Sequence, residues 1–286
     1  MNTKIICGFI GQGFIGKNLA DNFEQRGYQT IRYSLEEPYI NNKDLIKTCD
    51  ITFLAVPTPT TPSGFDASIV RESLSLIGKG KIAVIKSTIV PTTTEKLQQE
   101  FPDIIVLYSP EFLSVSTAAE DTANPFSNIV GVPANQDRYL EAANKVHGIL
   151  PQAKFNHTCS STEAEMIKYS HNVNGYFQII LANILYDLSR KLGCNWNDIY
   201  VALQNDPYIS NRYSQPVHKD GRGAAGFCFI KDFAAFKNLY GAVNETDVLG
   251  NKVLESLEKK NIELLIDSQK DIDLLRGVYG EDVIKS

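Results

Sequence analysis

Along its first half the chain alternates short, β-branched apolar runs with stretches whose apolar residues recur at helical spacing. Residues 4–10, 29–33, 51–56, 81–86, 104–107 and 128–132 read as strands, and 14–26, 66–77 and 137–149 as helices. Strands that alternate with helices predict an α/β fold, a doubly wound parallel sheet covered by helices on both faces. A polar run at 155–161 ends the β signal and sets a boundary between two domains, 1–157 and 158–286. From Thr162 the pattern turns wholly helical. The span 162–192 carries Met166, Ile167, Phe177, Ile180, Leu181, Ile184, Leu185 and Leu188 at apolar positions, and Gly193 stops it as a glycine past a helix end does. A helix this long and this apolar needs more cover than a small domain offers, which points to a subunit interface; burial inside one chain is the alternative. Shorter helices are expected at 196–204, 233–240 and 245–260, so the second domain is all-helical and built on one long central helix.

Composition narrows the function classes. The 286 residues suit two domains, and 43% hydrophobic with 21% charged residues is ordinary globular usage, not disorder. The net charge of −5 comes without a Lys/Arg block, so no nucleic-acid partner is expected. No run approaches the roughly 18 apolar residues of a membrane helix, and no basic segment with an apolar stretch opens the chain. Cys7, Cys49, Cys159, Cys194 and Cys228 are odd in number and lack metal-ligand spacing, which predicts a reducing, cytoplasmic setting and no metal site.

Gly11-Gln12-Gly13-Phe14-Ile15-Gly16 follows the first predicted strand and opens a predicted helix. The first glycine allows a tight turn, the second lets a pyrophosphate approach the backbone, and the third lets helix and strand pack closely. The phosphates would sit on the unpaired N–H groups at the helix N-terminus. Residues 1–157 thus read as a Rossmann-type dinucleotide-binding domain. The acidic residue expected at the end of the second strand is missing: Arg32-Tyr33-Ser34 stands there. Ser34 can hydrogen-bond a ribose and Arg32 can accept a 2′-phosphate, so NAD is favoured and NADP stays open.

Further motifs follow in order: Val56-Pro57-Thr58 after one strand, Lys86-Ser87-Thr88 after another, then Ser109-Pro110-Glu111-Phe112-Leu113. Glu163-Ala164-Glu165-Met166-Ile167-Lys168-Tyr169-Ser170-His171-Asn172 lies on the long helix, and Gly226-Phe227-Cys228-Phe229-Ile230-Lys231-Asp232 comes late. Together with the glycine turn they resemble the UDP-glucose/GDP-mannose dehydrogenase family over roughly residues 4 to 245. The resemblance implies an NAD-dependent, two-step oxidation of a nucleotide sugar's C6 alcohol to a carboxylate, UDP-glucose to UDP-glucuronate foremost, by a homodimer. By the same resemblance Cys228 forms the thiohemiacetal and thioester, Asp232 handles protons, and Glu111 activates the hydrolytic water with help from Thr88. A thiolate suits this covalent work where positive charge or a helix N-terminus lies near. Lys168 and Asn172, four apart on one helix face, can stabilise oxygen as it gains charge. Gly11, Gly13, Phe14, Ile15, Gly16, Ser34, Val56, Pro57, Thr58, Ser87, Thr88 and Lys231 would meet the cofactor. Glu111, Phe112, Leu113, Lys168, Asn172, Arg212 and Gly226 would meet the substrate.

The chain departs from the family pattern at Val115, where an acidic residue is usual, at Ala224-Ala225 in the glycine-rich run, and at Tyr208, where an arginine usually reaches the partner's substrate. After 245–260 only 26 residues remain, so the resemblance implies a short form without the family's C-terminal nucleotide-binding domain. Two alternatives stay open. One is a β-hydroxyacid or 6-phosphogluconate-like dehydrogenase, which uses no cysteine; the other is a non-catalytic dinucleotide-binding subunit.

Overall fold

The chain is described by a computed structural model over residues 5–210 and 212–285. Its first elements are β1 (Ile6–Ile10), α1 (Phe14–Gln25), β2 (Gln29–Tyr33), β3 (Ile51–Leu54), β4 (Thr60–Thr61), β5 (Gly64–Phe65) and α2 (Ser68–Leu74). Then come β6 (Ile82–Ile85), α3 (Thr93–Glu100), β7 (Ile105–Tyr108), α4 (Ala118–Ala123), β8 (Ser127–Val132), α5 (Asp137–Ile149) and β9 (Phe155–Ser160). The remainder is α6 (Ser161–Lys191), α7 (Trp196–Gln204), β10 (Val217–His218), β11 (Gly221–Arg222), α8 (Gly226–Val243), α9 (Val248–Asp267) and α10 (Ile272–Tyr279). The predicted strand over 4–10 starts at Ile6; Lys4 lies outside the described residues. Two compact units result: residues up to Thr58 with Asp66–Lys168, and Pro59–Phe65 with Tyr169 onward.

The first unit is a seven-stranded sheet in the order β2-β1-β3-β6-β7-β8-β9. Cys7, Phe9, Ile51, Phe53 and Val84 on its central strands are buried against Leu19, Ala20 and Phe23 of α1 and Ala142, Ala143 and Val146 of α5. Ile10, Leu54, Ala83 and Ile85, which alternate with these and face the other way, are buried too, and this two-sided burial explains the near-continuous apolar strands. Phe9, Phe23 and Phe53 pack with ring centroids 5.3–5.4 Å apart.

Two features depart from the expected pattern. The sheet is parallel except that β8 runs antiparallel to β7, at Tyr108 and Gly131. After β7 the chain passes through residues 109–126, which hold α4, turns at the carboxyl edge of the sheet, and β8 runs back along β7. Nor does the β signal end at residue 155. Phe155–Ser160 forms β9, paired in parallel with β8 along its whole length. As the outermost strand it tolerates the exposed Asn156 and His157 that disguised it.

The second unit is helical around Tyr176, Ile180, Ala224, Phe233, Leu254 and Leu264, with Tyr176 stacked on Phe233 at 3.8 Å. The β4–β5 hairpin packs on α8 and α10. α8 begins at Gly226 instead of 233, and α9 runs on to Asp267, because burial of Ile230 and Leu265 outweighs weak local propensity. α6 buries one face in its own chain and leaves another uncovered: Phe177, Leu181, Ile184, Leu185 and Leu188 are 36–56% exposed. Among the described residues no helix is long and apolar enough to cross a membrane, and no cluster of His, Cys, Asp or Glu is arranged to hold a metal ion.

Candidate active site

The glycine turn joins β1 to α1, and each glycine has its own reason. Gly11 has φ +88°, and a Cβ there would lie 2.3 Å from the Ala55 carbonyl oxygen. At Gly16 a Cβ would lie 1.9 Å from the Gly11 oxygen. Around Gly13 a Cβ would meet nothing within 4 Å. Two glycines are therefore required by the chain, while the space at the second is open. The first turn of α1 has neither a side-chain cap nor an acidic residue, so its N–H groups are left for an anion. The residues present fit a dinucleotide's pyrophosphate.

The carboxyl ends of β3 and β6 are tied beside this turn. Val56 N donates to Ser87 Oγ at 2.9 Å, the Ser87 hydroxyl lies 2.6 Å from the Val56 oxygen, and Thr58 Oγ1 donates to the Thr88 carbonyl at 2.7 Å. Pro57 lies between the tied residues. After β2, Ser34 Oγ donates to the Glu36 carbonyl at 3.0 Å and closes a turn. Arg32 does not present itself to a 2′-phosphate. It is 7% exposed, and its guanidinium is committed to Asp21 and Glu24 of α1, each at 2.6 Å. Burial pushes both carboxyls up, but hydrogen bonds from Lys17 and Arg32 to Asp21, and from Arg32 and Thr30 to Glu24, hold both below the usual range.

A second cluster in the same unit surrounds Glu111. Lys86, 3% exposed at the end of β6, places Nζ 2.5 Å from Glu111 Oε1 and donates to Ser109 Oγ at 3.0 Å. Lys168 Nζ donates to the Glu111 backbone carbonyl at 2.6 Å and lies 5.4 Å from the Phe112 ring centroid. Phe112 in turn packs on Phe126, and Leu113 is half-buried. Two ammonium groups thus hold the Ser109–Leu113 segment. Lys86 had no role in the sequence reading. Its one signal was a lysine ending a wholly apolar strand, where a buried cation needs a carboxylate.

Glu165 was missed as well. It is fully buried and accepts from Thr92 N, Thr94 N and Thr94 Oγ1 at 2.6–2.8 Å, anchoring the segment that follows Thr88. Burial pushes its carboxyl up to about 7 despite these donors.

In the second unit, Asp232 is 1% exposed, accepts from Asn172 Nδ2 at 2.6 Å, and faces Lys231 Nζ at 2.5 Å. Lys231, expected at the cofactor, thus has its ammonium on Asp232. Cys228 is the third residue of α8, exposed, in a first turn without acidic residues. Asp232 follows one turn later on that helix, as Asn172 follows Lys168 on α6. Among the other cysteines, burial pushes Cys7 up to about 12 and Cys49 and Cys159 up to about 11, so these stay thiols at neutral pH. Arg212 is exposed, 5.6 Å over the Tyr213 ring, and Gly226 takes φ +81° at the start of α8.

Sequence profiles of the UDP-glucose/GDP-mannose dehydrogenase family match the chain twice, its NAD binding domain over residues 36–150 and its central domain over 162–262. The chain belongs to this family. The match begins after the glycine turn, which stands on its own geometry. The UDP-glucose 6-dehydrogenase AglM of Haloferax volcanii is 26% identical over 277 residues, covering 79% of this chain and 63% of that protein. A UDP-glucose dehydrogenase structure from Pyrobaculum islandicum shares the fold with a TM-score of 0.76 at 22% identity, covering 93% of this chain and 71% of that one. The 3-hydroxyisobutyrate dehydrogenase of Mycobacterium tuberculosis shares it too, with a TM-score of 0.70 at 16% identity over 97% of this chain and 99% of that one. The chain spans 46–63% of the length of three curated UDP-glucose 6-dehydrogenases that it matches.

Proposed function

We propose that this family member is an NAD-dependent nucleotide-sugar 6-dehydrogenase that takes UDP-glucose to UDP-glucuronate in two oxidations through Cys228. Asp232 carries this assignment: a carboxylate 1% exposed, bonded to Asn172 and Lys231, one helical turn from an exposed cysteine, has no packing purpose that an apolar residue would not serve better. The alignment-independent support is the open Gly13 turn on α1.

Gly11, Gly13, Phe14, Ile15 and Gly16 would hold the pyrophosphate of NAD, Ser34 its ribose, and the Val56–Thr58 and Ser87–Thr88 loops the rest. When bound, NAD supplies the hydride acceptor for each oxidation. In the first, the C6 hydroxyl proton passes toward Asp232 while Lys168 and Asn172 donate to the oxygen as it gains charge. The Cys228 thiolate then adds to the aldehyde carbon; a C–S bond forms and the carbonyl oxygen takes a proton, giving a thiohemiacetal. Loss of the second hydride and of that proton leaves a thioester. Glu111, with Thr88, accepts a proton from water as it attacks; the C–S bond breaks and Cys228 leaves as the thiolate. The exposed apolar face of α6 would be covered in a homodimer.

The test is covalent. In Glu111→Gln, quenched in acid after incubation with NAD and UDP-glucose, intact-protein mass spectrometry should show the sugar nucleotide acyl group on the Cys228 peptide. Cys228→Ser should stop at one NADH per sugar, because a serine alkoxide is far harder to generate near neutral pH. No adduct from an enzyme whose wild type still releases two NADH per sugar would refute the covalent route. Full turnover in Cys228→Ala would favour hydroxyacid-type chemistry instead.

A further inference from the structure

We propose that Ser268 and Asp271, both beyond the family match, are positioning residues that hold the thiol of Cys228 in place, an inference that builds on the role proposed above for that cysteine. The run from Arg222 to Gly226 leads straight into α8, and every second amide in it is taken by a side chain from α9 or the turn after it. Arg222 N donates to Ser268 Oγ at 3.0 Å, Ala224 N to Asn261 Oδ1 at 2.6 Å, and Gly226 N to Asp271 Oδ2 at 2.6 Å. Asn261 Nδ2 returns a bond to the Ala224 carbonyl at 3.0 Å, and Lys270 Nζ donates to the His218 carbonyl at 2.6 Å.

Such a run has little conformational preference of its own. Gly223 and Gly226 take φ +86° and +81°, values an L side chain rarely adopts, so the shape is imposed by what the run lies against. The imposing surface is close: a Cβ at Gly223 would fall 2.9 Å from Asn261 Oδ1, and one at Gly221 only 2.5 Å from the Lys270 side chain.

Asp271 is the informative residue. It stands at the N-cap of α10, where an aspartate ordinarily accepts from its own helix, yet it makes no side-chain cap there. The N-cap of α8 is Ala225, which has no side chain able to cap. The Asp271 carboxylate supplies the missing cap across the chain, on the first residue of α8. Cys228 is the third. The reacting sulfur is therefore placed through Gly226, whose amide is held by an acceptor 45 residues downstream of it. Covalent attack is sensitive to this, since a misplacement of about 1 Å costs on the order of a hundredfold in rate.

Asp271 has φ +53°, as does Gln269, and that permits a clean test in the full chain. Asp271→Gly keeps the left-handed conformation and removes the acceptor; Asp271→Asn restores an acceptor; Gln269→Gly controls for backbone freedom. Amide hydrogen exchange at Gly226 should quicken roughly ten- to hundredfold in Asp271→Gly, as expected for loss of a hydrogen bond to a charged group, and stay near wild type in the other two. The second oxidation should slow at least about tenfold in Asp271→Gly, with the first oxidation and KM values kept and Asp271→Asn rescuing the rate. Where Asp271→Gly loses its cooperative melt, Ser268→Ala, read at the Arg222 amide, serves the same purpose. Unchanged exchange at the released amide overturns the brace, and faster exchange with an unchanged second oxidation overturns its positioning role. Retention of both oxidations by Cys228→Ala is a separate outcome: it overturns the nucleophile and leaves the exchange result standing.

Discussion

Gly13 and Gly16 sit three residues apart in one turn, and side chains added at the two should do opposite things. A Cβ at Gly16 would lie 1.9 Å from the Gly11 carbonyl oxygen and 3.2 Å from Ala55 Cβ. The obstructing oxygen is backbone, so α1 itself must move by more than 1 Å relative to a normal contact of about 3.2 Å. Overpacking of this severity costs about 3 kcal/mol, the upper part of the usual range. At about 2–4 °C per kcal/mol for a unit of this size, Gly16→Ala should melt roughly 6–12 °C below wild type. Gly13 has φ −69° and ψ −172°, open to any residue, and empty space around it. Replacing an N-cap glycine by valine costs about 1 kcal/mol or less, so Gly13→Val should melt within a few degrees of wild type.

Its NAD affinity should collapse all the same. An isopropyl group in the pyrophosphate path separates the phosphates from the amides of the first turn, and each charge-assisted bond lost is about 1.5–3 kcal/mol, a tenfold or greater loss in affinity. Thermal melts of the unliganded variants and calorimetric titration with NAD measure the two effects independently. Unaltered NAD affinity in Gly13→Val would refute the assignment of the turn. A melt as depressed as that of Gly16→Ala would show that the space above Gly13 is occupied.

Glu165 is held near 7 by burial, against an ordinary carboxyl value of 4.5. Over that window the fold binds a proton that the unfolded chain has released, so stability should fall by about 3 kcal/mol as pH rises from 4.5 to 7; urea melts across the window should show the slope, and Glu165→Gln should flatten it. Lys86→Met removes the ammonium beside Glu111 and should cost about 3 kcal/mol in a denaturant melt, as for one partner lost from a buried pair. It should also build up the Cys228 adduct expected with Glu111→Gln. Leu185→Asp places a charge on the exposed face of α6; light scattering should then report the 31.8 kDa monomer, against the dimer expected of wild type, and a dimer unaffected by the charge would move the interface elsewhere.

What was legible in the sequence was whatever residue type alone enforces. Gly11 and Gly16 are glycines because a Cβ at either would strike backbone, and the apolar residues of β1, β3 and β6 could only be strands buried on two faces. Cys228, Asp232, Lys168 and Asn172 stand out through the motifs that resemble the family, and the roles proposed for them rest on that resemblance. What stayed hidden depends on a partner far along the chain. β9 is polar because it is an outer strand, a fact of sheet order, and the reversed run of β8 is likewise a matter of strand pairing that no local residue type marks. Lys86 and Glu165 look like ordinary charged residues until Glu111 and Thr92, 73 residues from Glu165, are seen to meet them.

The start of α8 shows how this division bears on function. Locally, residues 221–226 argue against a helix, with three glycines and no capping side chain. The helix begins there because Asn261, Ser268 and Asp271 take up the amides that local sequence leaves unpaired. The residue proposed as nucleophile is picked out by its own motif, whereas the helix end that carries it is fixed from elsewhere in the chain. A cysteine at the third position of a helix without its own cap is only as well placed as the residues that hold the helix end. Substitutions at Ser268 and Asp271 should therefore weaken the second oxidation more than they weaken the fold.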